Sequence, residues 1–144
     1  MKHDKTIDAP ADIRTRSFKY ACRAIRLYQY LQDQKDRAGW IIGQQYLRSS
    51  TSIGANLQEA RSAESRADFI QKCGLAQKEA RESLYWLQLL GETETVSKSK
   101  LQPLIQETDE IVSIITSIIV TSKKQNHSRV QEKFQRKTVT VPLS

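Results

Sequence analysis

The sequence is poor in the residues that make turns and cross-links. Its 144 residues include only five glycines, three prolines and two cysteines. A β-sandwich or an α/β fold needs many turns, so this composition argues against both. The two cysteines, Cys22 and Cys73, have no zinc-type spacing, and two cysteines do not make a disulfide scaffold. We therefore expect one helical domain with reduced thiols, as in the cytoplasm.

The sequence also lacks a long apolar run. The most apolar stretch, IVSIITSIIV at 111–120, is about half as long as the roughly 20 residues that a membrane-spanning helix needs. The N-terminal stretch MKHDKTIDAPADIRTRS has no apolar segment of the kind found in signal peptides. We therefore expect a cytoplasmic protein without a membrane partner, in which 111–120 belongs to a core helix.

Residues for catalysis are scarce as well. The two histidines, His3 and His127, fall in the predicted terminal segments, and the Glu-x-x-His pattern of di-iron bundles is absent. Cys22 and Cys73 lie on or beside apolar stripes, with no histidine placed to activate a thiol. No Gly-rich phosphate-binding motif is present. We therefore expect no enzymatic activity, no metal and no cofactor.

What the sequence does have is helical periodicity. Apolar residues recur at spacings of three and four, and we predict helices at about residues 12–36, 40–60, 65–91 and 98–124. Four such helices with short connections favour an all-α fold, an antiparallel up-down four-helix bundle over residues 12–125. An N-terminal arm precedes it at 1–11. A basic C-terminal tail follows at 126–144, and we expect that tail to be flexible.

Local patterns refine these helices. The predicted buried row of the first helix consists of Phe18, Ala21, Ile25 and Tyr28, and Ala24, Leu27 and Leu31 widen this stripe. Gly39 marks the break before the second helix. Ser65 and Asp68 fit a capping box, in which each side chain accepts a hydrogen bond from the other residue's backbone N–H. The third helix has a heptad-like seam formed by Phe69, Cys73, Ala76, Ala80, Ser83, Leu87 and Leu90.

Positive charge is in excess and unevenly distributed. Lysine and arginine total 23 against 16 acidic residues, a net charge of +7. Residues 121–144 carry +5 of this, with one acid, Glu132, against the six basic residues Lys123, Lys124, Arg129, Lys133, Arg136 and Lys137. The first helix contributes a basic stripe without an acid between residues 13 and 32, formed by Arg14, Arg16, Lys19, Arg23 and Arg26. Two interpretations stay open: a solvated outer face, or a surface that contacts nucleic-acid phosphates.

The stretch TSIGAN at 51–56 consists largely of poor helix formers, yet it falls inside the second predicted helix. We interpret Ser52, Gly54 and Ala55 as small residues that let a neighbouring helix approach closely. Asn56 and Glu59 are expected to set the register by hydrogen bonds across the bundle or to the turn before Ser65. A structural role is favoured over a catalytic one.

Residues 48–90 carry a long ordered motif. Arg-Ser is followed by Thr-Ser-Ile-Gly-x-Asn-x-x-Glu, by a Ser and an Asp-Phe pair, and by Lys-Glu-Ala-x-Glu-Ser-x-Tyr-Trp-Leu. This string resembles the bacterial proteins called four helix bundle protein, which are related to the 23S rRNA intervening-sequence proteins. The similarity in organisation covers roughly residues 15–120 and does not include the basic tail. Its motif residues are Arg48, Thr51, Ser52, Gly54, Asn56, Glu59, Asp68, Phe69, Glu79, Tyr85 and Trp86.

The resemblance implies an up-down four-helix bundle that assembles as a ring-like homopentamer. It also implies kinship with the accessory variability determinant (Avd) proteins of diversity-generating retroelements, which are basic pentamers that bind a reverse transcriptase and nucleic acid. We therefore expect a non-catalytic accessory protein with RNA or DNA and a reverse transcriptase as partners, supporting cDNA synthesis and mutagenic retrohoming. The alternative is an intervening-sequence-type structural homo-oligomer that acts through protein–protein contacts. Tyr85 and Trp86 are expected to pack in the core or a subunit interface rather than against bases.

Overall fold

Four α-helices follow one another along the chain. The computed structural model describes residues 11–139, apart from the side chains of residues 11, 12, 126 and 137–139. The helices are α1 (Ala11–Asp33), α2 (Arg37–Arg61), α3 (Arg66–Glu92) and α4 (Lys98–Val139). Between residues 11 and 139 there is no β-strand. This agrees with the predicted all-α four-helix bundle.

The helices pack as an antiparallel ring of four. Contacts join α1 to α2, α2 to α3, α3 to α4, and α4 back to α1, and the contact between α1 and α4 is the smallest of the four. Tyr20 in α1 bonds to Thr108 in α4, whereas Tyr30, further along α1, lies beside Lys100, earlier in α4. The two helices therefore run in opposite directions, as an up-down bundle requires.

The buried face of α1 includes the residues predicted to widen its apolar stripe, Ala24, Leu27 and Leu31, but not the predicted main row. Phe18 is 71% exposed and Ile25 is 42% exposed. The core row is instead Ile13, Ser17, Tyr20, Ala24, Leu27 and Leu31. Both rows have helical spacing, and only one of them can face the bundle. The prediction for α3 is confirmed, because every member of its seam is buried except Phe69, which packs against the core from its edge.

The turns place the helix ends a few residues from their predicted positions. α1 ends at Asp33, and α2 begins at Arg37 because the Asp36 side chain caps it by accepting from the Gly39 N–H. Gly39 therefore lies inside α2 and does not break the chain. A Cβ at this position would lie 2.5 Å from Cγ2 of Thr95, so glycine allows the close approach of the α3–α4 loop.

The start of α3 follows half of the predicted capping box. Ser65 Oγ accepts a hydrogen bond from the Asp68 N–H at 3.0 Å, as expected. The Asp68 carboxylate accepts from the Glu64 N–H at 3.3 Å and not from Ser65. Both bonds still satisfy backbone donors at the helix entrance, which stabilises the turn.

The main correction concerns the C-terminus. α4 does not end near residue 124 but continues to Val139, so residues 126–139 of the predicted tail are helical. Residues 140–144 lie outside the described residues, as do residues 1–10 of the predicted N-terminal arm. Among the described side chains of α4, the last buried one is that of Ser122, and all those from Lys123 to Arg136 are exposed. No glycine or proline interrupts this part, and extending an existing helix avoids the cost of nucleation. We call residues 123–139 the α4 arm.

Candidate nucleic-acid interface

The family motif builds the seam between α2 and α3. Ser49 and Ser83 are both fully buried, and their hydroxyl oxygens lie 2.8 Å apart in a hydrogen bond across the seam. Above this bond, the Arg48 guanidinium reaches two carboxylates of α3. It donates to Glu79 at 3.3 Å and to Glu82. We call Arg48, Glu79 and Glu82 the α2–α3 ion cluster.

The polar residues of TSIGAN bond within their own helix. Thr51 Oγ1 donates to the Leu47 carbonyl at 2.8 Å, and Ser52 Oγ donates to the Arg48 carbonyl at 2.7 Å. Asn56 Nδ2 donates to the Ser52 carbonyl, also at 2.8 Å. Hydroxyl and amide side chains can bond to carbonyls one turn earlier without leaving the helix. This explains how a run of poor helix formers remains helical.

The register role expected for Asn56 and Glu59 is therefore not what the structure has. Asn56 bonds inside α2, and the side chain of Glu59 is exposed. The close approach expected near Gly54 is present, because a Cβ there would lie 3.4 Å from Ser17 Oγ of α1. Ser52 is half-buried and Ala55 is exposed. Gly54 is thus the member of the trio that faces a neighbouring helix closely.

Tyr85 and Trp86 form the aromatic end of the motif. Their rings meet edge to face with centroids 5.1 Å apart. Trp86 is half-buried and packs against the core, whereas Tyr85 is 54% exposed. Other apolar side chains of α2 and α3 are exposed as well, among them Ile41 at 48% and Leu75 at 40%.

The basic stripe of α1 divides into paired and unpaired residues. Arg16 is paired: its Nε donates to Glu107 at 2.9 Å and its Nη2 to Glu110 at 2.7 Å, both in α4. We call these three residues the α1–α4 ion cluster. Arg14 is half-buried, and its Nε is enclosed without a hydrogen-bond partner in the described part of the chain. Neither arginine is therefore a freely exposed cation.

The remaining members of the stripe keep their charge available. Among residues 11–139, Lys19, Arg23 and Arg26 form no ion pair. Lys19 and Arg26 are exposed and Arg23 is half-buried at the edge of α4. Of the five basic residues predicted to form the α1 stripe, these three have side chains without an ion-pair partner that can contact a ligand.

Arg23 and Arg26 line an open groove between α1 and α4. The groove has a volume of about 360 Å³, and its other lining residues are Leu27, Tyr30, Lys100, Pro103 and Leu104. Lys100 Nζ lies 3.4 Å from the centre of the Tyr30 ring, a cation–π contact across the groove. Sequence reasoning missed Tyr30 and Lys100. Tyr30 continues the spacing of Arg23 and Arg26, but nothing local pairs it with a lysine of another helix.

Below the groove, a chain of buried hydroxyls joins three helices. Tyr46 of α2 donates to Tyr20 of α1 at 3.0 Å, and the Tyr20 and Thr108 oxygens lie 2.6 Å apart. Thr108 Oγ1 donates to the Leu104 carbonyl, so Tyr20 must be the donor to Thr108. Burial raises the pKa of both phenols, so each keeps its proton and can donate near neutral pH.

The α4 arm carries the second group of predicted basic residues. Lys123, Lys124, Arg129, Lys133 and Arg136 are all exposed, and the side chain of Lys137 lies outside the described ones. The buried row of α4 ends with Ile115, Ile119 and Ser122, and the same row continues at steps of four and three through residue 126 to three basic residues: Arg129, Lys133 and Arg136. On this face of α4, the arm therefore exposes basic side chains, whereas the part of the helix within the bundle buries core residues.

The arm and the α1 groove are separate surfaces. The groove lies beside Lys100 in the first turn of α4, whereas the arm begins after Ser122. At 1.5 Å per residue this places them roughly 30 Å apart along the same helix. The predicted basic residues thus form two sites, one at each end of the bundle.

Other chemistry finds little support in the described residues. No group of three or more histidine, cysteine or acidic side chains between residues 11 and 139 is arranged to hold a metal ion. Burial raises the pKa of the Cys73 thiol to about 11, so it is protonated near neutral pH and a poor nucleophile. In the same range, no helix combines the length and the apolar character needed to cross a bilayer.

Comparison with known proteins shows the family to which the chain belongs. Its residues 11–117 match the family model of the 23S rRNA-intervening sequence protein. It is also similar to a crystal structure from Bacteroides thetaiotaomicron, described as a protein with unknown function from the S23 ribosomal protein family. The two are 42% identical, the similarity covers 74% of this chain and 97% of the other, and the TM-score is 0.70. No curated protein matches. The chain therefore belongs to the family of 23S rRNA-intervening sequence proteins.

Proposed function

We propose that the chain is a non-catalytic accessory protein that binds nucleic acid. The observation that carries the proposal is the α4 arm, a helix that leaves the bundle and exposes Lys123, Lys124, Arg129, Lys133 and Arg136. Between residues 121 and 144 a single acid, Glu132, opposes six basic residues. Clustered cations that outnumber the nearby acids attract a polyanion, because binding releases the counterions condensed on its phosphates.

The arm lies beyond the part of the chain that matches the family model, which ends at residue 117. Its function is therefore proposed from its own charge and exposure. RNA or DNA is the ligand class that fits. We also propose a reverse transcriptase of a retroelement as protein partner, in cDNA synthesis, and this rests on the motif resemblance at 48–90. A neighbouring gene for such an enzyme, with template and variable repeats, would support it, and location inside an rRNA gene would oppose it.

Nucleic-acid binding is tested by fluorescence anisotropy with labelled RNA and DNA on the full chain. We expect affinity to fall steeply between about 50 and about 200 mM salt, as phosphate contacts require. The triple variant Lys123→Glu, Arg129→Glu, Lys133→Glu should weaken binding at least about tenfold, because each reversal replaces a phosphate contact with repulsion.

A matched control reverses three exposed cations elsewhere, namely Arg37→Glu, Lys78→Glu and Arg81→Glu. It changes the net charge equally and should affect affinity less. Equal losses in both triple variants would show that only net charge matters, and the arm would no longer be the binding element. Absence of salt-dependent binding would overturn the function itself.

A second candidate function is self-assembly, and one observation favours it. Exposed apolar side chains occur on all four helices, and two of these helices do not contact each other: α1, with Phe18 and Ile25, and α3, with Leu75 and Tyr85. A closed ring joins two different surfaces of each subunit, and two separate apolar faces meet that requirement. We propose that these faces pair in the homopentamer that the resemblance implies. Light scattering should give five times the mass of one chain, and Phe18→Glu should reduce it toward one.

A further inference from the structure

The groove between α1 and α4 combines two kinds of surface. Its floor is apolar and formed by buried Leu27 and Leu104, and exposed Pro103 and the half-buried Tyr30 ring complete its apolar lining. Its rim carries three cations, and no acidic residue lines it: Arg23, Arg26 and Lys100. At about 360 Å³ the groove is near the lower end of the volumes, about 300–1,000 Å³, that are typical of small-ligand pockets. It suits a ligand with one flat apolar group beside a negative charge.

The charge of the groove is not already balanced within the described chain. Arg23 and Arg26 have no ion-pair partner there, whereas the nearby Arg16 is held by Glu107 and Glu110. Lys100 also forms no ion pair among the described residues, and its Nζ lies over the face of the Tyr30 ring. The neighbouring cation Lys19 extends the positive surface along α1, at helical spacing from Arg23.

We infer that this groove binds an unpaired nucleotide of a single strand, with the base against the apolar floor and the Tyr30 ring. Lys100 leaves the ring face and, with Arg23 and Arg26, contacts the phosphates. The inference rests on the proposed nucleic-acid function and adds a preference to it. A single strand offers a free base face and a phosphate together, which is the pair of groups the groove can take. A duplex keeps its bases stacked inside and offers mainly phosphates to a convex basic surface.

The preference is tested by measuring binding of one oligonucleotide sequence as a single strand and as a duplex. The wild-type chain should bind the single strand more tightly. Tyr30→Leu keeps an apolar side chain but removes the ring, and it should weaken single-strand binding about tenfold, a loss within the range of one base–aromatic contact. Duplex binding, which depends on phosphates, should change less than about twofold.

Two control variants separate this site from general effects. Tyr28→Leu makes the same change on the same helix, at a half-buried residue outside the groove, and should leave the preference unchanged. Tyr30→Phe retains the ring and should behave as wild type, provided that circular dichroism shows equal helix content in all variants. Reversal of Arg26 to Glu should weaken single-strand binding more than Arg81→Glu, an equal charge change on α3.

The possible results distinguish the two proposals. Binding of both probes with equal affinity, unaffected by Tyr30→Leu, would overturn the single-strand inference and leave nucleic-acid binding in place. Failure to bind either probe at low salt would overturn the proposed function. A single-strand preference that is lost in Tyr30→Leu and kept in Tyr30→Phe is the expected result.

Discussion

The bundle uses the same ion cluster on two opposite seams. In the α2–α3 cluster, Arg48 reaches Glu79 and Glu82, which are three residues apart on the next helix. In the α1–α4 cluster, Arg16 reaches Glu107 and Glu110 with the same spacing. In each case one guanidinium bridges two turns of a neighbouring helix, and a forked donor suits that geometry.

What lies beside each cluster is different. Beside Arg48, buried Ser49 and Ser83 close the α2–α3 seam with small side chains and a direct hydrogen bond. The α1–α4 contact is the smallest in the bundle and widens into the groove lined by Arg23 and Lys100. The tight α2–α3 seam stabilises the fold. The α1–α4 seam opens into a groove, and the cations that line it form no ion pair among the described residues. We therefore expect the two seams to respond differently to added volume and to lost bonds.

The largest effect is expected from filling the closed seam. Ser83→Leu adds three carbon atoms where Ser83 is fully buried against α2 and removes its bond to Ser49. Overpacking and the lost hydrogen bond together should lower the free energy of unfolding by about 3 kcal/mol. Urea denaturation monitored by circular dichroism measures this change.

The matched change on the open seam is Leu27→Phe, which adds volume at the floor of the groove. Because the groove provides space, we expect a cost below about 1 kcal/mol. Equal losses of unfolding free energy in Ser83→Leu and Leu27→Phe would contradict the expected difference between the two seams.

An intermediate effect is expected in the hydroxyl chain that crosses the open seam. Tyr20→Phe leaves the buried Tyr46 hydroxyl without its acceptor and should cost about 2 kcal/mol. Tyr46→Phe removes only the first donor of the chain, so every remaining hydroxyl keeps an acceptor, and we expect about 1 kcal/mol. The exposed Tyr85→Phe is the control and should be close to neutral. A larger cost for Tyr46→Phe than for Tyr20→Phe would contradict the donor order.

Sequence reasoning predicted best where one pattern dominated. The α3 seam has a single apolar row with small residues, and all of it but Phe69 proved buried. α1 has two apolar rows, and periodicity alone could not decide between Phe18 and Tyr20 for the core. The α4 arm was missed because its helix depends on propensity and on continuing from the bundle, and an exposed helix needs no apolar period.

The candidate site was harder to predict because its partners are far apart in sequence. Arg16 was expected to meet phosphates, but its carboxylates lie 91 and 94 residues away in the chain. Lys100 meets Tyr30 only when α4 folds back along α1. Local spacing indicates which cations share a helix face. Which of them are neutralised depends on tertiary contacts that a single helix does not reveal.

The smallest effect is expected from removing the bridging arginines, Arg16→Met and Arg48→Met. Partly exposed ion pairs contribute about 1 kcal/mol or less, so both losses should be small. The Arg16 side chain is 27% exposed and that of Arg48 is 49% exposed, so Arg16→Met should cost more. Thermal and urea denaturation of both variants at one ionic strength would measure the difference. Equal losses of unfolding free energy in Arg16→Met and Arg48→Met would show that the difference in side-chain exposure does not affect the strength of the two ion clusters.

The pH dependence sharpens this last comparison. Burial, and next the neighbouring Glu82, raise the pKa of Glu79, although Arg48 opposes the shift. A carboxyl with a raised pKa in the folded state favours folding when protonated, and that contribution is lost as pH rises through its pKa. Arg48 therefore matters most when Glu79 is ionised. The cost of Arg48→Met should shrink when denaturation is measured at about pH 5 instead of about pH 7.5. In Glu79→Gln, which cannot ionise, the same arginine substitution should have an equal effect at both pH values, and a persistent pH dependence there would assign it to another group.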